Sequence, residues 1–488
     1  MSIFSSSNPL DWGAVDGIYI DDTSPPPSVT GVAANTAILV GQFERGSSGL
    51  QSVGSTGQLF ELYGNNLNYS GAVALQNKKF GLLNVVRVIA ANAVTATKVL
   101  QSSGAVNIIA FTALWAGAYG NNIQVTRSAG STQGSKYVIH DANPNAVWPD
   151  ETYDNVLISN VGSTFAQSNL ITATVLATTA EPANAAAVNL ATGADGSVVD
   201  NDYSLAIVNQ TQVAGAGNIL FLDAYNSVRN GYLKLSMANT TDKMCLLAGQ
   251  PGDSVATAVT DVANYRDVDG RMIYSYPYVF TTISGAGAEV NSASFYASLL
   301  SQIAPNIDPA FAGNSQYLAG VNALATAVQL QRSDYIALMN AGISAFEVDT
   351  DIGIKIKSGV VTQIADSSKV MIFRRRMADY IIQSLAKYLK NYQNGINSLK
   401  NRTNANAAIT AFNTLLEGPA GSTGLVPKDA EVTSGKASLI DTKSLNTDAS
   451  IAAGFFKIIY KRRIYSSMRF IVLQTEIGES VVVTEANS

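Results

Sequence analysis

Thr36-Ala37-Ile38-Leu39-Val40-Gly41-Gln42-Phe43-Glu44-Arg45-Gly46 is an apolar run that ends in a glycine turn, and Leu82-Leu83-Asn84-Val85-Val86-Arg87-Val88-Ile89 is a second run, rich in β-branched residues. Runs of this length without strict polar alternation suit buried strands. Between them, Gln58-Leu59-Phe60-Glu61-Leu62-Tyr63-Gly64 reads as a short helix stopped by glycine, and residues Tyr69 to Phe80 also read as helical. Strand, helix, strand predicts a parallel pair with a right-handed crossover, the seed of an α/β layer.

Working downstream, the same alternation returns between about Asn201 and Val360. Asn218 to Asp223 and Met272 to Val279 read as strands, Asp261 to Asp267 and Ser292 to Ile303 as helices, and Lys243 to Leu247, with Cys245 at its centre, as a buried strand. These segments are expected to join the first two strands in one sheet. The stretch from Ala91 to Leu190, rich in Thr, Val, Ser, Ala and Asn with frequent glycine, predicts a separate β-rich insert. Beyond Gln363, Asp366-Ser367-Ser368 offers an N-cap for a long helix reaching Tyr392, with Asn394-Gly395 as its stop. A second helix is expected over Asn404 to Glu417, then strands over Ser467 to Gln474 and Ser480 to Thr484.

Working upstream, Gly17-Ile18-Tyr19-Ile20 precedes Pro25-Pro26-Pro27. Three prolines remove backbone donors and fix φ, so this strand-like piece cannot run on into the next strand. With no hairpin partner nearby, it reads as an arm that adds to a sheet edge elsewhere, in the manner of strand addition between molecules. Val481, Val482 and Val483 make a second candidate arm at the other end.

A chain of 488 residues exceeds what one core usually serves, so two to four domains are expected. Hydrophobic residues make up 47% and charged residues only 14%, which suits either a surface covered by copies of itself or a Ser/Thr/Asn-coated monomer. The formal charge of −5 gives no global argument for nucleic acid. No basic residue precedes Arg45 and no apolar stretch approaches the roughly 18 residues of a membrane span, so neither a conventional secretory signal nor membrane insertion is expected.

Motifs for chemistry are weak throughout. His140 is the only histidine and Cys245 the only cysteine, which excludes a disulfide within the chain and the usual structural zinc sets, and leaves His140 as a surface-loop residue. Gly435-Lys436-Ala437 and Gly215-Ala216-Gly217 lack the spacing of phosphate loops, no serine sits in a nucleophile elbow, and Asp267-Val268-Asp269-Gly270 reads as an Asp-Gly turn rather than a calcium loop. No catalytic residue, cofactor or metal is expected, although paired carboxylates could meet in space. One constellation stands out. From Lys369 to Lys390, six basic residues (Lys369, Arg374, Arg375, Arg376, Lys387, Lys390) face one acid, Asp379, a local charge of 6 − 1 = +5. Helical spacing places Arg376, Asp379, Gln383, Lys387 and Lys390 on one face and Val370, Phe373, Met377, Ile381, Leu385 and Tyr388 on the other. The polar face reads as a solvated helix surface or as a docking rail for an acidic partner.

Taken in order, these pieces resemble the tail sheath proteins of contractile bacteriophages, tailocins and related injection machines. The resemblance rests on Gly17 to Asp21, Ala37 to Gly46, Leu59 to Tyr63 before Val85 to Val88, Gly117 to Val125, Glu151 to Val156, Gly193 to Ser197, Tyr274 to Pro277, and the position of Arg374 to Tyr388. The family's Glu-Pro-Asn segment after the long helix is replaced here by Asn391 to Gly395. The resemblance implies an α/β multidomain fold: an N-terminal arm (1–26), a central mixed α/β domain (27–95 and 200–360), an inserted β-rich peripheral domain (96–199), a C-terminal α+β tube-proximal domain (361–478) and a C-terminal arm (479–488). It further implies a non-enzymatic subunit that stacks in hexameric rings around a tail tube protein and contracts, without nucleotide, to drive the tube through a bacterial envelope. Arg375, Arg376, Asp379, Lys387 and Lys390 would face the tube, while Gly17, Ile18, Tyr19, Ile20 and Val481 to Val483 would tie neighbouring subunits. Baseplate and tail terminator proteins would be further partners, nucleic acid and membrane would not be bound, and the product would be a virion assembled in the host cytoplasm. A β-rich, virion-borne adhesin or glycan-binding module is the alternative, and a polysaccharide hydrolase a third.

Overall fold

A computed structural model of the chain describes residues 3–4, 18–19, 31–32, 36–64, 82–144, 146–209, 218–238, 243–281, 288–311, 321–325, 329–351, 353–393, 395–420 and 422–466. The chain forms two compact units, Met1–Asn413 and Thr414–Ser488.

The first unit opens with β1 (Ile3–Phe4) and β2 (Ile18–Tyr19), which pair in parallel, Ile3 with Ile18 and Phe4 with Tyr19. The strand at Ile18 thus has a partner in its own chain, contrary to the expectation of an isolated piece. Gly17 and Ile20 lie outside the described residues, as do the helix expected over Tyr69 to Phe80 and the strands expected beyond Ser467. The sheet begins with β3 (Thr36–Gln42), β4 (Gln51–Val53), helix α1 (Thr56–Tyr63) and β5 (Leu82–Val88). Helix α1 starts where Ser55 Oγ accepts the Gln58 amide, and it stops at Gly64, whose φ of 68° suits a residue without Cβ.

From Thr97 to Asn189 follow β6 (Thr97–Gln101), β7 (Asn107–Ala113), β8 (Ile123–Ala129), β9 (Ser135–Asp141), β10 (Glu151–Val156), the short helix α2 (Val161–Phe165), β11 (Ile171–Val175) and β12 (Ala185–Asn189). They form a four-stranded sheet, β10-β9-β8-β12, and a three-stranded sheet, β11-β7-β6. One core fed from both sheets joins them as a sandwich, with Phe111, Tyr137 and Phe165 meeting edge to face at centroid distances of 5.2 to 5.6 Å. Alternation builds it: along β9, and along β8 as far as Arg127, every second residue is buried, as a sheet with one covered face requires.

The chain then returns through α3 (Asp200–Asn209), β13 (Asn218–Leu222), α4 (Ser227–Met237), β14 (Lys243–Ala248), α5 (Val255–Val262), β15 (Met272–Tyr276), β16 (Val279–Thr281), β17 (Ala288–Val290), α6 (Ser292–Gln302), β18 (Val321–Leu324), α7 (Arg332–Ala341), β19 (Ser344–Asp349) and β20 (Gly353–Ile356). The helix expected over Asp261 to Asp267 lies earlier, because Ser254 Oγ caps the Thr257 amide and fixes the start of α5. Among the described residues the main sheet has eight strands in the order β20-β19-β15-β14-β13-β3-β5-β4. From β19 to β5 all neighbours are parallel, while β20 and β4 close the edges antiparallel. Both faces are covered. Leu39, Val85, Phe221 and Leu246 pack under α1 and α6, whereas Ile38, Val40, Leu220 and Cys245 pack under α3, α4, α5 and α7. That two-sided burial is why β13 and β14 read as unbroken apolar runs.

Two long helices follow, α8 (Ile372–Leu389) and α9 (Leu399–Glu417). Helix α8 starts later than the expected cap at Asp366. Val360 bridges Met371 and the Val361 amide donates to the Val370 carbonyl at 2.8 Å, which closes a loop over the intervening residues and lets the helix begin only after Met371. Asp366 instead closes a turn, accepting the Ser368 amide at 3.0 Å. The first compact unit runs to Asn413 and includes α8, which buried charges described below fasten to it.

The second unit contains β21 (Ser438–Asp441), the short helix α10 (Asp448–Ala452) and β22 (Ile459–Arg462). Strands β21 and β22 make a two-stranded antiparallel sheet. Arg462 braces it, donating to Glu417 Oε1 at 2.7 Å and to the Pro427 carbonyl at 2.5 Å.

Candidate assembly surfaces

In parallel α/β sheets ligands enter beyond the carboxyl ends of the strands where the strand order reverses. Here that point lies between β3 and β13, and it is filled by the protein itself. Asp223, buried just past β13, accepts the Gln42 amide at 2.8 Å and the Tyr203 hydroxyl at 2.9 Å. A Cβ on Gly41 would sit 2.7 Å from Asp223 Cβ, so glycine there lets the carboxylate close the crevice. Arg229 stacks over the Tyr203 ring at 3.9 Å and pairs with Asp200 at 2.7 Å. Among the described residues no group of three or more His, Cys, Asp or Glu could hold a metal ion, and no helix is long and apolar enough to cross a membrane. His140 lies on strand β9 rather than in a loop; it is exposed, and its Nδ1 is 2.7 Å from Asp150 Oδ1.

Helix α8 departs from the two-faced reading of its sequence. Arg376 is fully buried, and its guanidinium donates to the carbonyls of Leu300 at 2.6 Å, Ile303 at 3.0 Å and Ala304 at 3.5 Å. Leu300 lies in the last turn of α6, a helix whose residues Ser292 to Ser301 are all buried, and Ile303 and Ala304 follow its carboxyl end, Ile303 half-buried and Ala304 exposed. Burial pulls the Arg376 guanidinium down to about 10, against the opposing effect of Tyr296. Asp379 is also fully buried. It accepts two parallel hydrogen bonds from Arg271, each 2.9 Å, and is met from its own helix by Arg375. Burial holds the Asp379 carboxyl above the ordinary carboxylate range, against the pull of Arg375 and Arg271. Arg376 and Asp379 are thus interior fasteners rather than surface contacts. Arg375 is mostly covered, and Lys387 and Lys390 remain exposed. Exposed apolar residues also occur on this helix and after it: Ile382 is 49% exposed, Ile396 83% and Leu399 72%.

Two further arginines, not singled out by the sequence, join the sandwich to the main sheet. Arg45, fully buried, donates to the Phe60 carbonyl at 2.8 Å and to Tyr119, and stands 3.7 Å from the buried Asp141. Arg87 donates from β5 to Phe43, Glu44 and Gly46 on one side and to the Ala116 carbonyl at 3.0 Å on the other. An arginine inside the apolar run Val85 to Ile89 was the available signal, because a charge within a buried strand must find partners.

The second unit offers a different surface. A two-stranded sheet is marginal by itself, and Leu439, Leu445 and Phe455 around it are 47%, 47% and 58% exposed. The main sheet is better guarded: β4 has three residues, and on β20 Lys355 is held by Asp349 at 2.5 Å and Glu347 at 3.3 Å.

No family model and no curated protein matches the chain. Solved structures do, and they are sheath proteins of contractile tails and injection systems. A sheath tail protein from Desulfitobacterium hafniense aligns with a TM-score of 0.58 at 14% identity, covering 91% of this chain and 100% of that one. A sheath tail protein from Listeria innocua aligns with a TM-score of 0.58 at 12% identity, covering 79% and 88%. The contracted helical sheath of the anti-feeding prophage aligns with a TM-score of 0.56 at 14% identity, covering 95% and 99%. At such identities the likeness is one of fold, and it spans nearly the whole chain.

Proposed function

We propose that the chain is a structural, non-enzymatic subunit of a contractile sheath, which polymerises helically around an inner tube and contracts to drive that tube through a bacterial envelope. The observation that carries this reading is the end-to-end likeness to sheath subunits, covering 95% of this chain and 99% of the subunit in the contracted prophage sheath. The filled crevice at Asp223 supports it, since the position where this class of sheet would take a ligand is occupied by side chains.

On this reading β21–β22 is the acceptor for arms from neighbouring subunits. Among the described residues β21 and β22 pair only with each other, apolar residues near them are exposed, and an added strand would extend the ladder. The N-terminal arm with Gly17 to Ile20 and the C-terminal arm with Val481 to Val483 are the donors, and repeated ties give avidity. Contact with the tube falls to Lys387 and Lys390 with Ile382, Ile396 and Leu399, not to Arg376 and Asp379. Rings of six, baseplate and terminator partners, and assembly in a host cytoplasm complete the proposal.

Negative-stain microscopy of the purified chain tests it. Rings or tubes are expected, and deletion of Met1 to Thr23 should leave a folded protein that no longer forms long polymers. Dispersed particles at high concentration from the unmodified chain would reject the sheath reading in favour of a binding module.

A further inference from the structure

Just after the three prolines the chain returns to the body on α8. The Val32 amide donates to Ser384 Oγ at 3.1 Å, and Ser384 Oγ in turn donates to the Tyr380 carbonyl at 2.7 Å. Ser384 is buried on the helix. Gly31 runs so close to the Tyr380 ring that a Cβ added there would overlap the hydroxyl. A side chain at this point would have to displace the Tyr380 hydroxyl. The seat is firm, because Tyr380 is backed by Phe412, ring centroids 6.5 Å apart, and α8 is fastened by Arg376 and Asp379. Lys387 follows Ser384 by one helical turn on the same side.

We propose that Gly31 and Val32 form a latch that sets the free length of the N-terminal arm. This role rests on the reading of that arm as a tie between subunits. From Tyr19 to Gly31 the chain advances 12 residues, which caps the reach of the arm strand from the latch at about 40 Å. With the latch open, the next described residue in a strand is Thr36 at the start of β3, 36 − 31 = 5 residues on, a contour of at most roughly 17 Å more. One hydrogen bond and one close glycine contact are a weak clasp beside the ladder that holds β3, so tension on the arm opens the latch before it disturbs the sheet. The released length lets tied subunits separate or rotate while the tie stays intact.

Hydrogen exchange of the full-length soluble subunit tests the latch without requiring polymers. The Val32 amide should be protected in the unmodified chain and exchange about fivefold to tenfold faster in Ser384→Ala, with the amides of α8 unchanged. Gly31→Val should do the same by steric exclusion, and Ser384→Ala carries the test if that variant folds poorly. Exchange of Val32 at the unprotected rate in the unmodified chain, or at one rate in all three proteins, overturns the latch. A protected Val32 that Ser384→Ala releases, in a chain that never polymerises, upholds the latch and rejects the inter-subunit role of the arm.

Discussion

Replacing Arg376 by Met separates the fastening role of α8 from any contact role. The side chain keeps its approximate length, but the buried Leu300 carbonyl loses its donor, and the half-buried Ile303 and exposed Ala304 carbonyls lose theirs where solvent can replace part of it. An unsatisfied buried acceptor costs about 1–3 kcal/mol, the two partly solvated carbonyls add less, and removing the desolvated guanidinium returns part of the sum, so a net loss of about 1–3 kcal/mol is expected. Against a typical stability of about 5–15 kcal/mol that is a large fraction. Urea unfolding of the purified chain, followed by intrinsic fluorescence and circular dichroism together, measures it. The control is Lys387→Glu with Lys390→Glu, which exchanges exposed charges and should cost within about 0.5 kcal/mol at each site. A loss below about 1 kcal/mol for Arg376→Met, or an equal loss in the control, would refute the assignment of Arg376 as an interior cap.

Three further outcomes follow from the same geometry. Arg45→Ala should cost about 3–5 kcal/mol by leaving the buried Asp141 without its cation, and Arg45→Met combined with Asp141→Leu should recover part of that loss; a single-variant cost under about 1 kcal/mol would contradict the buried pair. The Asp441 carboxyl is held down at about 2, from an ordinary 3.8, first by the Ser444 hydroxyl and then by the Ser444 and Lys443 amides. Its folded value is depressed, so its contribution is fully present above the ordinary value and is lost as pH falls through about 2. Carbon-detected titration should place its midpoint there and move it up in Ser444→Ala, whereas a midpoint near 3.8 in the unmodified chain would dismiss the turn. In polymers assembled on tubes, Lys387→Glu with Lys390→Glu should block docking while leaving tube-free polymerisation intact, as pelleting with and without tubes would report; normal docking would return these lysines to a solvated surface.

The layers of the fold were legible where burial is uniform. The apolar runs at Thr36 to Gln42 and Leu82 to Val88 became parallel neighbours, and Ser292 to Gln302 became a helix close to its expected limits. Periodicity failed on α8 because it assigns every charge to the outside. Arg376 and Asp379 are decided by partners 76 and 108 residues away, and no helical wheel contains the carbonyl of Leu300 or the guanidinium of Arg271. The one local hint was the spacing of Arg375 and Asp379, a pair four residues apart in an otherwise basic helix. The arm illustrates a second limit. A triple proline marks where a strand cannot continue, but neither the parallel pairing of Ile18 with Ile3 nor the seat of Gly31 on Tyr380 leaves a pattern in the sequence.

The central claim is that neighbouring copies complete the sheet of β21 and β22. Helical reconstruction by electron cryo-microscopy of polymers grown from the purified chain tests it most directly. The account predicts that β21–β22 in each subunit is extended to a sheet of more than two strands by chain segments traced to other subunits, among them the strand at Ile18–Tyr19. A polymer in which β21–β22 stays two-stranded and Ile18–Tyr19 stays paired only with Ile3–Phe4 of its own chain would contradict it.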